Sequence, residues 1–323
     1  MSALSSPEIT DPYSLRACRL CPRNCGTDRR VRQGFCRSSD TMHAARAAKL
    51  FYEEGPLVGT GGSGAIFFTG CNLACPFCQN REISRGRGGN EGIPLSPERL
   101  AEICLKLQEV GAVNINLVTA SHFVPPVAEA ITRAKKQGLS IPVVYNTSSY
   151  EKPETLALLE GLVDIYLPDL KFCDPELSRR YLGLSDYFEK ACLAIAEMVR
   201  QCPVPLFSDG SSTLEDTEEV PLMKKGVIIR HLCMPGQTKD SRAVLSWIYH
   251  TFGDSVFVSI MNQYTPMGGD VSSDPLLARK LQENEYGEVV DFAISLGIEN
   301  GFIQEGDTVS KSFIPAFDGT GLL

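Results

Sequence analysis

The chain has 323 residues, 43% of them apolar, 22% charged and 8% aromatic, with a net charge of −8. That profile excludes a disordered, collagen-like or membrane-embedded protein and allows one large or two ordinary domains. The charge is uneven: residues 1–50 carry nine Lys and Arg against four acids, so the head is basic and the remainder strongly acidic. A polyanion could therefore be held only at the N-terminal end. No apolar run follows Met1 and no stretch approaches the roughly 18 apolar residues of a membrane span, so the reading predicts a cytoplasmic protein without membrane contact.

In chain order, the head comes first, with Cys18, Cys21, Cys25 and Cys36 grouped among arginines. A glycine-rich turn at 59–64 then enters the apolar run 65–68, a buried-strand candidate. Cys71, Cys75 and Cys78 follow directly. Ser96-Pro97-Glu98 starts a helix whose Leu100, Ile103, Cys104, Leu107 and Val110 share one face, ending at Gly111. Strand and helix patterns then alternate: strands over 113–119, 141–145, 163–167, 227–232 and 256–261, and helices over 124–136, 153–162, 175–200, 241–251 and 275–296. With the strand at 65–68 this makes six βα units, and short apolar strands between helices imply a parallel sheet with right-handed crossovers. Six units are fewer than the eight of a closed barrel, so periodicity leaves open a doubly wound sheet or a partial barrel. Residues 203–219, polar, acidic and rich in turn formers, read as a surface excursion.

Twelve cysteines in a long chain with no export signal read as metal or redox chemistry rather than a disulfide framework. The group Cys71-x3-Cys75-x2-Cys78 sits on a loop at the C-terminal end of a strand. Three thiolates leave one position of a four-ligand site open, and an open position is where a substrate or cofactor binds. Three structural cysteines, or a zinc completed by a distant residue, are the alternatives. The remaining five, Cys104, Cys173, Cys192, Cys202 and Cys233, are scattered and read as bystanders.

The segment Gly70-Cys71-Asn-Leu-Ala-Cys75-Pro-Phe77-Cys78 resembles the signature of the radical S-adenosylmethionine (SAM) superfamily. The segments at 18–26, 62–80, 113–125, 143–151, 163–172, 228–236, 259–268 and 300–306 together resemble an uncharacterised branch related to the activating enzyme of pyruvate formate-lyase. The resemblance implies a partial (β/α)6 TIM-like barrel over 56–305, preceded by a four-cysteine metal-binding segment over 1–55 and followed by a tail over 306–323. It implies an oxidoreductase with a [4Fe-4S] cluster on Cys71, Cys75 and Cys78, whose open iron binds SAM. Reductive cleavage of SAM would then yield a 5′-deoxyadenosyl radical for hydrogen abstraction.

By the same resemblance, Phe77 lies beside the adenine, although a core aromatic is the plain alternative. Thr119, Ala120, Ser121 and His122 stand where wider relatives carry a Gly-Gly-Glu motif meeting the SAM amino group, a departure that leaves backbone carbonyls for this contact. Asn146 and Thr147 end the third strand. Asp169 and Lys171 end the fourth on one side of it, so that Lys171 could neutralise the SAM carboxylate. Asp169 and Thr147 would also help hold a monovalent cation, and a solvated ion pair is the bland alternative. His122 and His231 are placed at strand ends facing the site, in cofactor-positioning or structural roles.

Cys18, Cys21, Cys25 and Cys36 suffice for a structural zinc or a second iron–sulfur cluster, and softness does not separate the two. The leading expectation is an activase taking hydrogen from a glycine of a partner protein, with flavodoxin or ferredoxin as electron donor. The second is radical chemistry on another peptide or a small molecule. A metal-stabilised nucleic-acid-binding protein is disfavoured, because residues 1–50 offer only Tyr13 and Phe35 for base stacking.

Overall fold

A computed structural model describes residues 15–73, 75–84, 91–214, 220–266, 274–304 and 314–323. After the four-cysteine segment, β1 (Met42–Leu50) leads through the short α1 (Gly55–Val58) to β2 (Ser63–Phe68), the apolar run at 65–68 extended by two residues. Then come α2 (Arg81–Ser84), β3 (Ile93–Leu95), α3 (Pro97–Glu109), β4 (Ile115–Val118), α4 (Val124–Lys136), β5 (Val143–Thr147), α5 (Pro153–Leu156) and β6 (Ile165–Pro168). The rest is α6 (Pro175–Leu182), α7 (Tyr187–Gln201), β7 (Leu206–Phe207), β8 (Met223–Leu232), α8 (Thr238–Phe252), β9 (Phe257–Met261), α9 (Glu283–Leu296) and β10 (Gly301–Ile303).

The sheet runs β10-β9-β8-β6-β5-β4-β2-β1-β3, with β7 paired to β8. The six expected strands are β2, β4, β5, β6, β8 and β9, all parallel. The structure adds a seventh parallel strand, β10, on β9, and two antiparallel strands, β1 and β3, at the other edge. Residues 42–50, counted with the N-terminal segment on sequence grounds, are thus built into the sheet. They escape the alternation rule because Ala44, Ala45 and Ala47 are small and buried on both faces.

The expected helix over 175–200 is two helices. Gly183, at φ 68° in the left-handed region, caps α6 and lets the chain restart at Tyr187. The helix expected over 275–296 begins only at Glu283, where Gln282 and Glu285 form a reciprocal capping box. Ser96 caps α3 by accepting from the Arg99 amide, but Val110, expected on its buried face, is 55% exposed at the C-cap.

Strand alternation sorts the interior. Val144, Ile165, Leu167, Ile228 and Phe257 point into the lumen and meet Leu57 of α1, which closes its floor. Their neighbours Tyr145, Tyr166 and Ile229 face the surrounding helices. Residues of β2, β4, β5, β8 and β9, with Asp169 directly after β6, line a cavity at the C-terminal ends of the strands, so the sheet curves around it as a partial barrel. Pairing does not close the ring among the described residues, since the sheet ends at β3 and at β10. The end of the chain returns to the first strand: the Gly319 amide donates to Ala45 and the Ala47 amide to Thr320. Of the acidic run 214–219, residues 215–219 lie outside the described residues, as do 1–14 of the N-terminal segment and 306–313 of the tail.

Candidate active site

The three-cysteine loop leaves β2 through Gly70. Its φ of 82° is left-handed, and a Cβ there would collide with Ser38 Oγ and the Cys36 carbonyl, so only glycine fits. The Cys71 amide donates to that same Cys36 carbonyl at 3.2 Å. Asn72 Nδ2 donates to the Tyr150 carbonyl at 2.6 Å, and Arg23 Nε donates to the Asn72 carbonyl at 2.8 Å. The far end is held by Gln79 Nε2, which donates to the Gln263 carbonyl. These bonds anchor the loop from several elements, so the thiols are positioned before anything binds.

All three thiols line a cavity of about 240 Å³ together with Phe77, Thr119, Asn146, Thr147, Asp169 and Lys171. Burial, then repulsion from Cys75 and Cys78, pushes the Cys71 thiol far up. Burial pushes Cys75 up to about 12 despite Lys171, and it also raises Cys78. Three crowded thiols, each disfavoured as a thiolate by burial, form a donor set that a cationic metal group would relieve. The residues therefore fit a cluster.

Asp169 and Lys171 point into the cavity together, with Nζ 2.6 Å from Oδ2. Burial opposes the Lys171 charge, but Asp169 and Cys75 outweigh it and hold the ammonium above its ordinary range. Leu170, between them, faces away. Its carbonyl accepts from His231 Nδ1 at 2.8 Å, and the carbonyl of Asp169 accepts from Ser149 Oγ and the Tyr187 hydroxyl. Phe77 sits in an aromatic cage, edge-on to Phe172 and Tyr181 and tilted against Tyr264. Thr119 is left-handed at φ 63°, uncommon for a non-glycine residue, and turns the chain away from the cavity directly after β4.

Some expected residues lie elsewhere. Ala120, His122 and His231 are not among the residues lining the cavity. On β8 it is Arg230 and Leu232 that point in, so His231 points out toward the helices. Burial lowers its imidazole to about 4 and leaves Nε2 without a partner among the described residues. His122 turns behind the loop, where Nε2 donates to the Thr69 carbonyl at 2.8 Å, and burial lowers it to about 3. The Thr147 hydroxyl is engaged by Glu151, a buried carboxyl that also accepts from the Tyr145 hydroxyl at 2.9 Å. Burial raises Glu151, and the hydroxyls of Thr147, Tyr145 and Ser121 only partly counter this. Sequence reasoning missed Glu151, Glu53 and Arg230. The available signal was the alternation of Arg230 with the apolar residues of β8.

The four-cysteine segment is docked on this loop. A Cβ at Gly34 would sit 3.5 Å from both the Cys25 and Cys36 sulfurs, and Arg29 Nη1 lies 3.9 Å from Cys18 Sγ. Burial raises Cys36, against the lowering effect of Arg29, and pushes Cys21 up to about 11. Arg29, 1% exposed, donates to the His122 and Ser39 carbonyls, and Thr155 Oγ1 donates to Leu20. Among the described residues no group of three or more His, Cys, Asp or Glu closes tightly enough for a single metal ion. No described helix is long and apolar enough to cross a membrane.

Comparison with known proteins gives the family. Residues 65–219 match the Radical SAM superfamily. An uncharacterised protein of Methanocaldococcus jannaschii, MJ0674, is 30% identical over 281 residues, covering 85% of this chain and 74% of its own length. The [FeFe]-hydrogenase maturase HydG superposes with a TM-score of 0.50 at 12% identity, covering 73% of this chain and 50% of that one, a likeness of fold. A domain of a pyruvate-formate lyase-activating enzyme from Bacteroides vulgatus superposes with a TM-score of 0.38 at 12% identity, covering 57% of this chain and 92% of that one.

Proposed function

Because the chain belongs to the radical SAM superfamily, whose enzymes use a [4Fe-4S] cluster and SAM, we propose that Cys71, Cys75 and Cys78 hold the cluster and that the cavity beside them receives SAM. The observation that carries this reading is the meeting of three buried thiols with the Asp169–Lys171 pair on one cavity wall. When bound, these groups supply one-electron cleavage of a carbon–sulfur bond and a 5′-deoxyadenosyl radical that abstracts hydrogen.

The chain's own residues bind, orient and exclude water. Lys171 offers an ammonium to the SAM carboxylate, with Asp169 and its neighbours holding that ammonium in place. Phe77 presents an apolar face to the adenine, and the ends of β4 and β5 offer backbone groups near Thr119 and Asn146. Thr147 and Asp169 remain candidates for a monovalent cation, although the Thr147 hydroxyl already serves Glu151. Ala120, His122 and His231 act at one remove: His122 supports Thr69 beneath the loop, and His231 holds Leu170 between the two charged residues. Both imidazoles are neutral at pH 7, so neither serves as a proton donor there. Cys18, Cys21, Cys25 and Cys36 hold a second group, zinc or iron–sulfur, at the back of the loop.

Within the superfamily we read the protein as an activase-like enzyme acting on a partner glycine. Support comes from the near end-to-end sequence resemblance and from a sheet left open between β3 and β10, where an extended peptide could approach. An external reductant such as flavodoxin or ferredoxin would supply the electron.

Anaerobic reconstitution followed by iron counting and assay of 5′-deoxyadenosine tests the chemistry. Cys71→Ala, Cys75→Ala and Cys78→Ala should each abolish SAM cleavage, whereas Cys104→Ala, buried on α3, should retain it. Persistent cleavage in all three loop variants would sink the reading. Deuterium passing from a partner glycine into 5′-deoxyadenosine would support the activase assignment. A metabolite that alone stimulates stoichiometric cleavage and emerges changed would replace it.

A further inference from the structure

Below the thiols, the lumen holds a charged group with no part in the reading above. Glu53 and Glu54 enter from the turn after β1, and both share the guanidinium of Arg230. Arg230 Nε donates to Glu54 Oε1 at 2.9 Å, and Nη2 serves both carboxylates. The side chains are 6–10% exposed. A second cavity, of about 230 Å³, lies beyond this group and is bordered by Phe302, Ile303 and Gln304 at the open β10 edge. It shares Tyr52, Glu53, Arg230, Met261 and Gln263 with the cavity of the three cysteines. The Glu53–Arg230 contact therefore stands at the junction between the open edge and the cluster face.

The junction is short of positive charge, although Ser259 also donates a hydrogen bond to Glu54. Two carboxylates face one guanidinium, and Lys171, which lines the cysteine cavity, is already paired with Asp169. Asn116, fully buried, has its amide head against Glu53, with Nδ2 3.4 Å from Oε1. Its Oδ1 has no partner among the described residues. An unpaired acceptor beside an uncompensated carboxylate is costly unless a donor arrives. Burial, with Glu54 and Asp169 nearby, holds the Glu53 carboxyl above its ordinary range in spite of Arg230.

We infer that the junction binds a positively charged group of the substrate, a protonated amine or a guanidinium, which enters from the β10 edge and is received by Glu53, the carboxylate that lines both cavities. A neutral group would leave the extra carboxylate uncompensated, and an anionic one would meet Glu53, Glu54 and Asp169. This rests on the reading that substrate approaches the cluster through that edge, and it narrows the substrate to a cation-bearing one.

The test uses n-butylguanidinium and its neutral isostere N-butylurea as probes. Binding to the reconstituted, SAM-loaded protein is followed by saturation-transfer NMR at matched ionic strength set with potassium chloride. The guanidinium should bind at least about tenfold more tightly than the urea, a contrast within the range of one charge-assisted hydrogen bond, and Glu53→Gln should erase the difference. Equal binding of the two probes, a preference that survives Glu53→Gln, displacement by SAM, or equal competition from added potassium would each overturn the inference. If Glu53→Gln does not fold, the comparison on the unaltered protein decides alone. Formation of 5′-deoxyadenosine without probe, measured on the same preparation, reports the proposed chemistry separately. Equal binding of the two probes to the unaltered protein with intact SAM cleavage strikes only the junction, and a charge preference without SAM cleavage strikes only the cluster assignment.

Discussion

A carboxylate and an ammonium two residues apart at a strand end point the same way, and at Asp169 and Lys171 this places both in the cavity. If their roles concern SAM rather than iron, as proposed, Asp169→Ala and Lys171→Ala should weaken SAM binding by about tenfold while leaving the iron content of the reconstituted protein unchanged. Equilibrium binding beside iron analysis checks this, and unchanged SAM affinity in both variants would refute the placement. His231 allows a prediction in pH. Its imidazole is lowered from 6.5 to about 4, so between those values the unfolded chain binds the extra proton and the folded protein does not. Stability from this group is complete above about pH 6.5 and is lost as pH falls toward 4. Asp240, raised by burial to about 6, works in the opposite sense and partly offsets the loss. His231→Gln should therefore flatten the fall in urea-unfolding stability between pH 6.5 and 4 relative to the unaltered protein. An identical slope would show that the ring is not buried neutral.

At the scale of elements, the β2 loop depends on the segment behind it as much as on its own residues. Gly70→Ala combines a left-handed φ with collisions against Ser38 Oγ and the Cys36 carbonyl, whereas Gly111→Ala, at φ 83°, meets nothing within 4 Å. The second should cost only the conformational penalty, about 1 kcal/mol, and the first several times as much, with loss of bound iron. Thermal melting and iron counting on the two variants check the contrast. A Gly70→Ala protein as stable and iron-loaded as Gly111→Ala would mean that the Cys36–Cys71 packing is not what holds the loop. The break between α6 and α7 follows the same logic: helical pattern continues across Gly183, but its left-handed cap and the turn to Asp186 decide the stop.

At the scale of the whole molecule, the two cysteine groups meet back to back across the Cys36–Cys71 hydrogen bond, though they are distant in sequence and separated by β1 and β2. If each holds its own group, the variant lacking Cys71, Cys75 and Cys78 should still bind iron or zinc through Cys18, Cys21, Cys25 and Cys36. Metal analysis of that folded variant is the measurement, and a metal-free result would count against the second site. The segment is too short to build a core, so if it holds a metal, removing that metal should also destabilise the loop it supports.

The parallel strands, most helices and the cysteine spacing were legible in the residues themselves. They depend on local periodicity, caps and the donor count of adjacent thiols, and each works within a few residues of chain. Gly183 and Gln282, which shorten two expected helices, are also local signals, but they are outweighed in a reading of apolar period alone. What lies across the lumen was not legible. Arg230 lies more than 170 residues from the adjacent Glu53 and Glu54, and the three form a group only because curvature of the sheet brings β8 over the turn after β1. His231 was expected in the site because it ends a strand, yet the pleat sends Arg230 inward and His231 outward. That phase is set by which face of β8 the lumen takes. The sequence by itself determined the chemistry the thiol loop can support, because ligand number is a property of neighbours in the chain. Only the tertiary structure decided what else shares that cavity, because long-range contacts depend on sheet curvature and strand phase, which no short stretch of residues specifies.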